Sequence, residues 1–146
     1  MLSSAQSGSR RRRDVQDLQV TPLPPLWFIH VAVAAVWLYE GLWCKVLGRE
    51  SRQLQIVEAV PYFGPRVGAL FLTTLGVGEI GLGIWVLSGI APGPCALAQT
   101  LLLVALNAGG LIWARHLIHD PGGMVVKNFA FLVLVWVAAG LSRGAS

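Results

Sequence analysis

The sequence predicts an all-α fold, an integral membrane bundle of four transmembrane helices. Three observations lead to it. Charged residues make up 12% of the 146 residues, about half the share of a soluble domain. Residues 80–114 contain no Asp, Glu, Lys or Arg, a run too long to bury inside so small a domain. A bilayer needs roughly 20 apolar residues per helical crossing, so that run fits parts of two crossings joined by a turn. The apolar segments are also unbroken, whereas transmembrane strands alternate over about ten residues.

Residues 1–25 read as a disordered basic tail carrying Arg10, Arg11, Arg12 and Arg13 and ending in Pro22, Pro24 and Pro25. A signal peptide is disfavoured: no small-residue cleavage site follows, and the apolar run continues too far. Residues 26–142 form one transmembrane domain. The first span covers about 26–47, with Trp27 and Trp43 near its ends, where amphipathic rings favour the headgroup level. The second covers about 67–88 and is broken by the Gly- and Pro-rich turn at 89–94. The third covers about 95–115 and the fourth about 124–141. Between the first two, Leu54, Ile56, Val57 and Val60 alternate with Arg52, Gln53, Gln55 and Glu58. That pattern predicts a short interfacial helix within 48–66, too polar to cross the bilayer. No repeat period is present.

With four spans, both termini and the second loop share one face. Five basic residues lie there, Arg10 to Arg13 and Arg143, against six on the other face. Charge therefore does not set the orientation, and only the dense arginine tail favours cytoplasmic termini.

Polar residues inside the spans carry the functional signal, because ionisable groups in hydrocarbon are costly and face the bundle interior. Residues 26–39 make only about 21 Å of helix, short of a core of about 30 Å, so Glu40 falls inside. Glu79 lies mid-span among Gly76, Gly78, Gly81 and Gly83, glycines that let helices approach closely. Asn107 precedes Gly109 and Gly110, and Lys127 and Asn128 open the fourth span. Helical rise puts Glu40, Asn107, Lys127 and Asn128 at similar depth below the first-loop face, about 10 Å in for Glu40. They are expected to form one polar cluster with Glu40 paired to Lys127. Lys45, Arg66, Arg115 and His116 are expected at its rim. Glu79 lies deeper, with no basic residue expected at its level. Such a cluster reads first as a bond between helices, next as a ligand, quinone or proton site, and last as a Lys127 that snorkels without a partner.

Other chemistry is poorly supported. His30 lies on the tail side, and His116 and His119 lie beyond the third span, so no metal or haem ligand set is expected. Cys44 and Cys95 are the only cysteines, and they fall near opposite faces, too far apart for an intramolecular disulfide. There is no CxxC for a thiol–disulfide relay. Gly76, Gly78 and Gly81 spell GxGxxG within apolar sequence without a preceding strand, which is no dinucleotide fingerprint. Nothing points to nucleic acid.

Three runs resemble motifs of the DoxX-like membrane proteins: Trp37-Leu38-Tyr39-Glu40-Gly41-Leu42-Trp43-Cys44-Lys45-Val46, Gly78-Glu79-Ile80-Gly81-Leu82-Gly83, and Asp120-Pro121-Gly122-Gly123-Met124-Val125-Val126-Lys127-Asn128. The last, an Asp-Pro-x-Gly…Lys-Asn step, is the most specific, and the likeness covers about 26–141. The resemblance implies a four-helix protein of the bacterial inner (plasma) membrane. Some members are the small subunit of a thiosulfate–quinone oxidoreductase, others act in redox homeostasis, and some are fused or adjacent to soluble sugar-nucleotide-epimerase-like proteins. The resulting expectation is an accessory or binding subunit with a polar intramembrane pocket, not an enzyme on its own. It sits in the lipid bilayer, with a membrane or soluble protein partner or an oligomer as its setting. The rival expectations are a membrane subunit of a quinone-linked oxidoreductase, with quinone as cofactor, and a small transporter.

Overall fold

The computed structural model of the protein describes residues 24–61 and 63–144. The expected basic tail, apart from Pro24 and Pro25, lies outside the described residues. Helix α1 (Leu26–Leu38) runs on as a π-helix (Tyr39–Val46), and the two make the first span. A short helix α2 (Ser51–Glu58) follows, then α3 (Pro65–Ser88), α4 (Pro92–Trp113), a 3₁₀ turn (Arg115–Leu117) and α5 (Pro121–Gly144). Among the described residues there is no strand. The first span, α3, α4 and α5 are each 21 to 24 residues long. At about 1.5 Å per residue they match a hydrocarbon core of about 30 Å.

Three of these helices begin two or three residues earlier than the sequence suggested, and proline is the reason. Pro65, Pro92 and Pro121 each open a helix. The first helical position needs no N–H donor, and the fixed proline φ suits it. Asp120 completes the start of α5: its Oδ1 accepts the Gly123 backbone N–H at 2.8 Å, which satisfies one orphan donor of the first turn. A side chain at Gly123 would collide with that carboxylate. This gives the Asp-Pro-Gly-Gly step a physical meaning. At the other end of the bundle, Gly89 closes α3 in the left-handed conformation, φ 66°, which glycine adopts without steric cost.

The first span packs against α3 and α5, and α5 against α4. The core takes residues from all four spans: Val33, Ala34 and Trp37, then Val86, then Cys95 and Ala96, then Val135 and Ala139. Leu70, Leu101, Ile112, Val126 and Phe129 are more than 60% exposed on the outer faces, where lipid tails solvate them. Lipid gives apolar side chains no reason to leave it, so the helices are held by close packing and by polar bonds. Trp37 Nε1 donates to Gln99 Oε1 at 2.7 Å in the interior. Trp136 Nε1 donates to Thr100 Oγ1 at 3.1 Å, and His30 Nε2 lies 3.0 Å from Ser142 Oγ.

The tightest approach joins the first span to α3. A Cβ on Gly41 would stand 2.5 Å from the Gly76 carbonyl oxygen, and one on Gly76 would stand 2.7 Å from the Gly41 carbonyl oxygen. The two backbones touch, and only glycine fits on either side. Gly78 and Gly81 have open space instead. Helix α2 lies over the start of α3 with Leu54, Ile56 and Val57 half-buried and Ser51, Arg52 and Gln55 exposed. Leu54, Val57 and Glu58 lie closest to the bare surface of Gly68.

Gly76→Ala should destabilise the detergent-solubilised protein by about 1–3 kcal/mol, the usual effect of overpacking. Gly78→Ala should be neutral or gain up to about 1 kcal/mol from helix propensity. Unfolding curves of the two variants check this, and equal losses would show that the Gly41–Gly76 contact is absent.

Candidate functional site

A cavity of about 580 Å³ opens between the helices at the end of the bundle that carries α2. Its walls are mostly apolar, with Trp37, Phe71, Leu72, Leu106 and Phe131 among them. Polar groups from every surrounding element converge on it: Glu40 and Lys45, Arg52 and Gln53 of α2, Glu79 of α3, Asn107 of α4, and Lys127 and Asn128 of α5.

The π-helix builds the first wall. In an α-helix, residues five apart stand about 140° apart around the axis, so Glu40 and Lys45 would face different ways. Hydrogen bonds spanning five residues, such as Leu47 N–H to Leu42 C=O at 2.9 Å, bring positions i and i+5 back to one face. Lys45 Nζ accordingly lies 3.4 Å from Glu40 Oε2. Side chains of a helix also lean towards its N-terminus. Lys45, near the C-terminal end of its span, therefore points back into the bundle rather than out to water. Its ammonium reaches Glu79 Oε2 at 2.8 Å. Both partners are buried, Glu79 at 1% and Lys45 at 9% exposure. Charge more than hydrogen-bond direction holds the pair, since Glu79 Oε2 has no aligned hydrogen bond from any described residue. Gln53 Nε2 donates to Glu40 Oε2 at 3.2 Å and ties α2 to the same group.

The second wall is a ladder of amides. Asn107 Nδ2 donates to the Leu103 carbonyl at 2.9 Å. That bond fixes which way the Asn107 amide points and turns its Oδ1 towards Asn128. Asn128 Nδ2 donates to it at 2.7 Å and keeps a second N–H.

The sequence reading placed Glu40, Asn107, Lys127 and Asn128 together with Glu79 deeper, and all five line this one cavity. The pairing differs. Glu40 meets Lys45 and Gln53, not Lys127, and Lys127 is exposed without an ion pair to any described residue. Glu79, expected to lack a basic neighbour, has Lys45. Depth counted at α-helical rise put Lys45 at the rim. The wider π turn advances less per residue, and the backward lean of the side chain does the rest. Arg66, Arg115 and His116 are exposed and do not line the cavity, whereas Arg52, Gln53 and His119 do. Cys44 and Cys95 are both buried free thiols.

Four long apolar helices define the class: a small integral membrane protein built as a helical bundle. The chain belongs to the DoxX-like family, whose sequence profile matches residues 34–136. The matched region begins within α1, ends within α5 and contains all six ionisable or amide groups of the two walls. No curated protein and no solved structure matches the chain.

Lys45→Met should destabilise the protein by about 3–5 kcal/mol, because it leaves Glu79 buried without its cation. Adding Glu79→Gln should recover much of that loss, and Lys127→Met alone should change stability little. A double-mutant cycle read by thermal unfolding in detergent checks this. Simple additivity of the Lys45 and Glu79 losses would mean that the two do not touch.

Proposed function

We propose that the protein is a binding subunit of the bacterial inner membrane that takes a lipophilic small molecule with a polar head into this cavity and acts together with a partner protein. The cavity itself carries the reading. About 580 Å³ falls in the usual range for small-molecule sites, about 300–1,000 Å³, and apolar walls with a few convergent polar groups are the common form of such sites. The aromatic rings of Trp37 and Phe131, whose centroids lie 5.8 Å apart, form part of a surface suited to an apolar tail. The polar groups suit a head that accepts hydrogen bonds. Nearly all of the buried polar chemistry is already engaged between helices, and this fits holding a ligand better than transforming one.

The second reading is a membrane subunit of a quinone-linked oxidoreductase. One observation favours it. Asn128 keeps an unused N–H beside the apolar wall, the donor that a quinone carbonyl requires.

Both readings are tested by purification in mild detergent followed by mass spectrometry of extracted lipophiles and of co-purifying proteins. A lipophile should be retained near one per chain. Leu106→Trp, which fills the cavity from its apolar side, should reduce retention about tenfold or more while the protein stays folded. Equal retention by the variant would remove the cavity from consideration, and a retained quinone would favour the second reading.

A further inference from the structure

The cavity carries an imbalance that narrows its ligand. Five charged side chains line it: Glu40, Glu79, Lys45, Arg52 and Lys127. Both carboxylates are committed to Lys45, and Glu40 also accepts from Gln53. Arg52 and Lys127 are different. Each lines the cavity, and neither makes an ion pair or hydrogen bond with a described residue. Lys127 lies six residues into α5, about 9 Å of rise from its start, and it is exposed, its side chain leaning back towards the N-terminal end of the helix. Beside it Asn128 offers a spare N–H, with its amide oriented through Asn107 to the Leu103 carbonyl. On these elements the cavity presents two cations and a donor above an apolar floor.

We propose that the cavity binds an amphipathic anion, its carboxylate or phosphate head held by Lys127 and Arg52 with the Asn128 N–H, and its acyl chain against Trp37, Phe71 and Phe131. The inference rests on the reading of the cavity as a ligand site and adds the chemistry of the head. A free fatty acid and an acidic phospholipid share that chemistry. The triad of Glu40, Lys45 and Glu79 has a separate part: it lines the other wall, where the one ammonium offsets one of the two carboxylates, and the head is drawn away from it to the side of Lys127 and Arg52.

The test uses the full chain in phosphatidylcholine nanodiscs, titrated with radiolabelled palmitate or with its methyl ester, with empty discs as the blank. Palmitate should bind at about one per chain and the ester about tenfold or more weakly, the loss expected when a charge-assisted hydrogen bond is removed. Lys127→Gln and Arg52→Gln, both at exposed positions, should each weaken palmitate by a similar factor and leave the ester unchanged. Arg66→Gln, outside the cavity, should change neither. Displacement of palmitate by phosphatidylglycerol in the disc would identify an acidic lipid as the resident molecule, and resistance to it a free fatty acid. Equal binding of acid and ester, or palmitate binding insensitive to Lys127→Gln and Arg52→Gln, would overturn the anionic head while leaving a lipophile site standing. Failure of both acid and ester to bind would overturn the ligand site as well.

Discussion

The bundle is organised by one buried contact, the ammonium of Lys45 against the carboxylate of Glu79 at 2.8 Å. Neither charge is tolerable alone in hydrocarbon, and together they are tolerable only in close geometry. That geometry needs three things from the sequence. Gly41 and Gly76 must be bare, so that two backbones can touch. The first span must widen into a π-helix over Tyr39–Val46, so that Lys45 turns to the same side as Glu40. Lys45 must sit late in its span, so that the backward lean of a helical side chain carries the ammonium inward. Loss of any one would strand a charge. A buried pair of this kind is a weak source of net stability against an apolar alternative. Its value here lies in fixing the register of the first span on α3.

That register in turn shapes the cavity. With Lys45 drawn onto Glu79, one carboxylate remains at the cavity edge. Glu40 is 42% exposed in its side chain, and Gln53 bonds to it from α2. The short helix α2 is thus anchored from two sides, by Gln53 at the cavity and by the apolar side chains lying over Gly68. Facing it, the Asn107–Asn128 bond joins α4 to α5. Polar pairs that hold the helices together therefore also define the polar part of the cavity. Under the proposed ligand reading a single group here serves both packing and recognition, which is why substitutions at the exposed Lys127 and Arg52 separate the two roles more cleanly than substitutions at Glu79.

Much of this was legible in the sequence. Long apolar runs and rare charges are strong signals for the helical class and the four spans, and the spacing of apolar residues within 48–66 for the short helix between the first two. Depth along the spans was enough to bring Glu40, Asn107, Lys127 and Asn128 to one level. The remainder turned on features without a sequence signature. No pattern of residues marks a π-helix, so the i, i+5 relation of Glu40 and Lys45 was invisible and Lys127 was the nearer candidate partner. Lys45 stood at the rim because depth counts locate Cα atoms, not the ends of long side chains. Gln99 could have been noticed as a second amide, with Asn107, in the apolar third span. Its buried bond to Trp37 is the kind of link such a residue makes between membrane helices. Proline is ambiguous for a simpler reason: beside a glycine, where Pro65, Pro92 and Pro121 all stand, it reads as a turn and also as the first residue of a helix.

The chain contains only two lysines, Lys45 and Lys127, and this makes the central contact directly observable. Solid-state NMR of the protein in lipid bilayers, labelled with ¹⁵N at lysine Nζ and ¹³C at the glutamate carboxyl carbon, gives two ammonium signals, which Lys127→Arg assigns. The Lys45 signal should dephase strongly through its coupling to carboxyl carbon, as contacts of 2.8 and 3.4 Å require. The Lys127 signal should not. Glu79→Gln should remove the larger part of the Lys45 effect. Strong dephasing at Lys127 with none at Lys45 would contradict the account and restore a Glu40–Lys127 pairing.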